Sequence, residues 1–389
     1  MLIFIVPTSY PNKDNPVANS FIEEQAIALS KIPGNKVVVL NVQKQPSSYL
    51  FKHIDKRIEH TEKGAISIVH MKHKTLLEKR LILSNQCAFD KDMKKLYKYA
   101  VDKYGKPDVI YAHFYSAAYS SLKMEKNVPI VVLEHSAELM QNKLDFRYRC
   151  ILKKVVKLCD RYLATTDNLK NKVMQHTGYI KEVEVLPNII DEQFTYHPIL
   201  KEDSEFKYFA LSRMEFDKRL DLLIESFCDA HLGNKDVLLY IGGNGKEYAN
   251  LQRLIAKKQC SEQVKLLGRI DRPEVLEQMK RCSCFVLPSR HETFGLVWRE
   301  ALCVGRPVIT TNHGGFGETD WSGNYGVMVD VDNKAQLTDA ITYVYQNYNT
   351  YDLEEISSDN QRRYSAKSIM DALMNIFNTC LGQYHKGEI

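Results

Sequence analysis

Residues Phe285–Glu318 read FVLPSRHETFGLVWREALCVGRPVITTNHGGFGE. Phe285 to Leu287 is a short apolar run ended by Pro288 and Ser289, the pattern of a buried parallel strand that enters a loop at its carboxyl end. Loops at such ends bind ligands in open α/β sheets. Gly295 then opens Leu296–Val304, whose apolar residues Leu296, Val297, Ala301, Leu302 and Val304 fit one face of a helix stopped by Gly305 and Pro307. Glu292 precedes this helix and Glu300 lies inside it. Free backbone N–H groups at Phe294, Gly295, Leu296 and Val297, with the positive end of the helix dipole, suit a phosphate. A carboxylate accepts two diol hydroxyls at once through charge-assisted bonds, which suits Glu300 to a ribose and Glu292 to the hydroxyls of a sugar.

The same strand, loop and helix grammar extends in both directions. Strand patterns fall at Leu2–Val6, Val37–Asn41, Ala65–Val69, Val109–His113, Ile130–Glu134, Tyr162–Thr165 and Val183–Leu186, with a helix from Asn19 to Ser30 capped by Asn19 or Ser20. A second series runs through Tyr208–Leu211, Val237–Ile241, Val264–Leu267, Cys284–Leu287, Val308–Thr310 and Gly326–Asp330. This alternation predicts an α/β chain with parallel sheets covered on both faces. At 389 residues the chain exceeds one ordinary core. Asn188–Glu205, with Pro198 and the charged LKEDSE stretch, is the linker candidate. The reading divides the chain into domains 1–195 and 196–363.

Composition is that of an ordinary globular protein, 44% apolar and 26% charged. Nine cysteines without regular spacing argue for a reducing compartment, and Cys282-x-Cys284 beside an apolar strand reads as core packing. Leu2–Val6 lacks a basic leader and ends at Pro7, and no run reaches the 18 apolar residues that span a bilayer. The expected location is cytoplasmic, either free or attached peripherally to the inner face of the cell membrane. Residues 1–200 hold 30 Lys+Arg against 21 Asp+Glu, net +9, whereas 201–389 hold 23 against 27, net −4. An anionic partner is expected for the first half. Neither half has G-x-G-x-x-G after its first strand, so nicotinamide and flavin chemistry lack support.

Glu292 and Glu300 at this spacing, with Pro288-Ser289 before them and Gly305-Arg306-Pro307-Val308 after, resemble the nucleotide-binding motif of the family-4 (group 1) glycosyltransferases. The resemblance implies the GT-B fold, two Rossmann-like domains with parallel sheets facing across a cleft. It also implies a final helix, about Tyr364–Leu381 within 364–389, that crosses back onto the first domain. The implied reaction is retaining transfer of a hexosyl group from a nucleoside diphosphate sugar to a hydroxyl of a saccharide or lipid-linked acceptor, with no metal cofactor. Asn15-Pro16-Val17-Ala18-Asn19 is similar to a branch that builds bacterial surface polysaccharides.

Arg213 and Lys218, five residues apart after Tyr208–Leu211, match the family's paired cations, placed where they offset charge on a departing diphosphate. By the same resemblance Gly243, in the turn Gly242–Gly245, and Arg269 with Ile270 belong to the donor site. His113, ending DVIYAH, falls near the reacting sugar with no role assigned. Glu134 and His135, in VVLEHS, are acceptor-binding candidates. His313–Glu318 matches a glycine turn that lets backbone approach sugar or phosphates. Two departures stand out: Ile189 replaces the glycine expected after Asn188, and Thr8–Ser20 has no glycine pair.

Asp90-Lys91-Asp92 and Asp330-Val331-Asp332 imitate the Asp-x-Asp metal motif and are read as surface acids. Lys143–Arg161 combines cations with apolar residues and reads either as an ordinary helix covering the first sheet with a charged outer face or as a surface for an anionic membrane. Nucleic acid is not expected as a partner, since no binding module or aromatic platform is present. A nucleotide-sugar epimerase or hydrolase, and a non-catalytic nucleotide-sugar-binding protein, remain alternatives.

Overall fold

The computed structural model describes residues 1–12, 19–45, 57–74, 82–141, 144–199, 205–312, 321 and 323–385. Residues 15–18, Lys143 and the turn His313–Glu318 lie outside the described residues. The chain divides into two units, Met1–Ile189 with Ala366–Ile389, and Ile190–Ser365.

The first unit holds β1 (Leu2–Val6), β2 (Lys36–Gln45), β3 (Glu59–Lys63), β4 (Ile66–Lys74), β5 (Val109–His113), β6 (Ile130–Glu134), β7 (Arg161–Ala164) and β8 (Glu184–Val185), ordered β3-β4-β2-β1-β5-β6-β7-β8. Its pairings are parallel except β3 with β4. Alternate residues of each central strand serve opposite faces. Phe4, Val6, Val38, Leu40, Ile110 and Ala112 feed one core. Ile3, Ile5, Val37, Val39, Val109 and Tyr111 feed the other. Burial on both faces is why these strands read as unbroken apolar runs.

The C-terminal helix, Ala366–His385, lays Ile369, Met370, Leu373, Phe377 and Cys380 into the second of these cores, with Phe377 edge-on to Tyr111 at 5.5 Å. The sequence suggested one helix beginning near Tyr364. The structure instead ends the helix Leu353–Tyr364 there, turns at extended Ser365, and restarts at Ala366.

The second unit holds β9 (Phe206–Leu211), β10 (Val237–Gly242), β11 (Val264–Gly268), β12 (Cys284–Leu287), β13 (Val308–Thr311) and β14 (Gly326–Val329), ordered β11-β10-β9-β12-β13-β14 and wholly parallel. From β9 the chain works outward through β10 and β11, then returns to β12 on the other side and proceeds to β14. The order therefore reverses between β9 and β12, and such reversals open the crevice in which α/β sheets take ligands.

Candidate active site

Because β9 and β12 are neighbours, with Tyr208 opposite Cys284 and Phe209 opposite Phe285, their exit loops leave the sheet side by side. The β9 loop carries Arg213 and then a single 3-10 turn, Phe216–Lys218. The β12 loop carries Ser289 to Thr293. Lys218 Nζ lies 2.8 Å from Glu292 Oε1 and 3.4 Å from the His291 carbonyl oxygen. Ser289 Oγ donates to the same glutamate oxygen at 3.2 Å. The Arg290 N–H donates to the Asp217 carbonyl at 2.8 Å, so backbone as well as side chains join the loops. The ammonium is 10% exposed and the carboxylate 19%, enough access for a ligand and enough burial to strengthen the pair. Arg213 is exposed and has no ion-pair partner among the described residues.

The loop bearing Arg213 rests on the glycine turn. A Cβ on Gly243, whose φ is +127°, would lie 1.8 Å from the Ser212 carbonyl oxygen, and one on Gly245 would lie 2.3 Å from that of Met214. Met214 N–H donates to the Asn244 carbonyl at 2.9 Å, and Gly243 N–H to that of Gly268 at 2.7 Å. These glycines admit a neighbouring backbone. The turn therefore shapes the loop that presents Arg213. Arg269 is exposed, and Ile270 packs its Cδ1 2.8 Å from the Cβ position of Gly242.

The helix spans Leu296–Val304, begun by left-handed Gly295 (φ 71°) and ended by left-handed Gly305 (φ 88°). A Cβ on Gly295 would meet the Trp298 indole at 2.0 Å, so the helix entry closes over that ring. Phe294, Trp298 and Arg299 are buried, and the Arg299 guanidinium sits 3.8 Å over the Phe294 ring, 4.2 Å over Trp298 and 4.9 Å over Tyr364. Leu296 and Val297, in the first turn, stay half-buried.

Glu300 is 3% exposed. Burial pushes its carboxyl above the ordinary range, an effect offset by the Arg272 guanidinium 2.7 Å away. Arg272 is 42% exposed, stacks on the Phe194 ring at 4.4 Å and approaches Asp191 at 4.0 Å. The sequence reading missed Arg272. One local signal is that it opens the helix Arg272–Arg281, where the dipole disfavours a cation, but nothing in the linear sequence names its partner.

In the first unit His113 and His135 stack at 5.3 Å and share one hydrogen bond, Nδ1 to Nε2, of 3.0 Å. Burial drives both imidazoles far below their ordinary range, to about 3 for His113, and His135 is lowered further by its neighbour. Phe21 and Phe114 flank the His135 ring at 4.5 and 5.1 Å. Glu134 is fully buried and accepts from the Tyr115, His135 and Ser136 N–H groups, the Ser136 hydroxyl and the Tyr162 hydroxyl. That leaves no acceptor capacity for a ligand, and its role here is to hold the β6 exit in shape.

Asp92 is a correction. It is 2% exposed and lies 2.8 Å from the buried His73 Nδ1, so it is an internal acid and not a surface one. In the helix Phe146–Leu158 the apolar residues Ile151, Leu152, Val155 and Val156 are spent on the core. Lys153, Lys154 and Lys157 face outward between exposed Phe146 and Leu158. Among the described residues no helix is long and apolar enough to cross a membrane.

Comparison with known proteins agrees with this architecture. Residues 192–363 match the family model for glycosyl transferases group 1, and residues 24–194 match that for Glycosyltransferase Family 4. An uncharacterized glycosyltransferase of Methanocaldococcus jannaschii is 26% identical over 263 residues, 67% of this chain and 71% of that one. The O-antigen biosynthesis glycosyltransferase WclY of Escherichia coli is 29% identical over 161 residues, 41% of this chain and 43% of its own. Among solved structures, sucrose-phosphate synthase from Thermosynechococcus elongatus superposes with a TM-score of 0.78 at 15% identity, covering 98% of this chain and 99% of that one. Anabaena HepE, solved with UDP-glucose, gives 0.70 at 16% identity over 97% and 99% of the two chains. At these identities the structural likeness is one of fold. The two family models together take in residues 24–363, and the chain belongs to the group 1, family-4 glycosyltransferases of GT-B fold.

Proposed function

We propose that this glycosyltransferase moves a hexosyl group, with retention at the anomeric carbon, from a nucleoside diphosphate sugar to a hydroxyl of a saccharide or lipid-linked acceptor. The observation that carries the reading is the Lys218–Glu292 ion pair at the sheet's order reversal, beside the start of the helix that contains Glu300. In the reaction the bond from the anomeric carbon to the diphosphate breaks, a bond to the acceptor oxygen forms on the same face, and the acceptor proton leaves with the diphosphate. Lys218, Arg213 and the helix-start N–H groups stabilise the charge that grows on the leaving oxygens. Glu292 positions the sugar, and Glu300 takes the ribose hydroxyls when Arg272 yields its place. Protein cations supply this stabilisation without a divalent metal, so turnover is expected to survive chelation by EDTA.

A role in bacterial surface polysaccharide synthesis is supported by the partial likeness to WclY. The outward lysines Lys153, Lys154 and Lys157 support contact with the anionic cytoplasmic face of a membrane. Charge reversal at Lys153 and Lys154 then lowers co-sedimentation with vesicles containing anionic lipid, and unchanged sedimentation removes the membrane from the reading.

The deciding experiment is a thermal-shift panel of uridine, guanosine and adenosine diphosphate sugars, followed by product analysis with and without saccharide acceptors. A bound donor raises the melting temperature by mass action. Transfer with an unchanged anomeric configuration supports the reading. Epimerised sugar, free sugar alone, or binding without turnover on any acceptor would replace it with an epimerase, a hydrolase or a sensor.

A further inference from the structure

Arg219, next to Lys218, adopts the left-handed conformation at φ 52°, and Asp332, in the loop after β14, does so at φ 62°. Residues with a Cβ rarely stay there unless their surroundings hold them. These two are joined to each other: the Arg219 guanidinium pairs with the Asp332 carboxylate and also with Asp221 at 3.1 Å. The same Asp332 carboxylate accepts from Arg290 Nε at 2.8 and 3.0 Å. Arg290 stacks on the Phe216 ring at 4.5 Å, and Phe216 begins the turn that ends at Lys218. One acid from a third loop thus grips the residue after Lys218 and the residue two before Glu292.

We propose that Asp332 is a positioning residue, which clamps Arg219 and Arg290 so that the β9 and β12 loops hold Lys218 and Glu292 in their ion pair. This inference rests on the proposed role of that pair. Its neighbour Asp330 offers an internal control, because it is exposed and its carboxylate bonds Gln336, away from the clamp. A loop shifted by a fraction of an ångström costs turnover because the cation no longer meets the developing charge.

The test has two arms. In the first, thermal unfolding is measured for Lys218→Met, Glu292→Gln and the double variant, with and without Asp332→Asn. Coupled neighbours give non-additive shifts. Non-additivity in the wild-type background that disappears with Asp332→Asn is the expected result. Coupling that persists without Asp332, or that is absent from the start, overturns the proposal.

In the second arm, with the donor that gives the largest thermal shift in the panel, Asp332→Asn lowers kcat about tenfold while KM for donor stays within about twofold. Asp332→Glu restores part of the loss, Asp330→Asn changes neither constant, and Asp332→Asn adds no further loss to Lys218→Ala. An equal tenfold loss in the Lys218→Ala background would place Asp332 elsewhere in the mechanism. If no donor is turned over by the wild type, the activity reading fails while the unfolding arm still decides the clamp.

Discussion

Glu134 and Glu300 are both buried, and burial pushes both carboxyl groups above their ordinary range, yet the two are held in opposite ways. Glu134, at the end of β6, is surrounded by five donors from its own unit: three backbone N–H groups and the hydroxyls of Ser136 and Tyr162. A carboxylate has about four lone-pair sites, so this one is saturated. Glu300 is held by the guanidinium of Arg272, which is 42% exposed and reaches it from the start of another helix. Polar groups from a ligand can replace a surface cation. They cannot replace backbone amides without unfolding the loop that carries them. Burial and a shifted pKa therefore mark both residues, and the replaceability of the partners separates the acid locked into its own loop from the one proposed to bind the donor.

The comparison breaks most sharply at the pair nearest the proposed chemistry. Lys218→Ala or Glu292→Ala is expected to lower kcat a hundredfold or more, about 3 to 4 kcal/mol of lost charge stabilisation for the lysine and of lost sugar positioning for the glutamate, with the protein still folded. Steady-state turnover beside a circular dichroism melt checks this. A variant within a few-fold of wild type would remove that residue from the mechanism. Glu134→Ala tests the other side. It strips acceptors from buried hydroxyls and amides, each worth about 1 to 3 kcal/mol when orphaned. The expected loss of stability is about 3 kcal/mol, read by urea unfolding. A loss under about 1 kcal/mol would mean that Glu134 is not the keystone of its loop.

Much of this was legible in the sequence, because the signals were local. The helix Leu296–Val304 is bounded by Gly295 and Gly305, both left-handed, and those glycines with the apolar period state its limits directly. Most strands announced themselves as apolar runs because both faces of each sheet are buried. The edge strand β3 was missed because its sequence, EHTEK, is polar and mostly exposed. Arg272 and the clamp at Asp332 were missed for a different reason: each partner arrives from a separate helix or loop, and linear spacing does not encode that meeting. Nor could sequence count the donors around Glu134, which is why a saturated acid resembled an acceptor contact.

Smaller effects sharpen the same contrast. Glu300→Gln removes a buried charge, so stability is expected to hold or rise slightly while donor affinity falls about tenfold, roughly 1.4 kcal/mol. Titration calorimetry with the selected donor reads the affinity, and unchanged binding would take Glu300 out of the site.

The smallest predicted effect is acid sensitivity arising in the first unit. His113, lowered by burial to about 3, and His135, lowered by burial and by His113, stay neutral in the native state where the unfolded chain takes up protons near the ordinary value of 6.5. Below that value the unfolded state binds more protons, so their contribution is complete above pH 6.5 and drains away as pH falls toward 3. Between pH 7.5 and 5.5 the loss is on the order of 1 kcal/mol per imidazole. Glu134 and Glu300, raised by burial, act with the opposite sign, because their native forms hold protons more readily than the unfolded chain does. The imidazole share is therefore read as a difference. Melting temperatures of wild type and His113→Gln are compared across this interval, and the variant should show the shallower fall. Equal slopes would mean that the stacked pair already carries a proton at neutral pH. Burial beside a second imidazole makes that state costly.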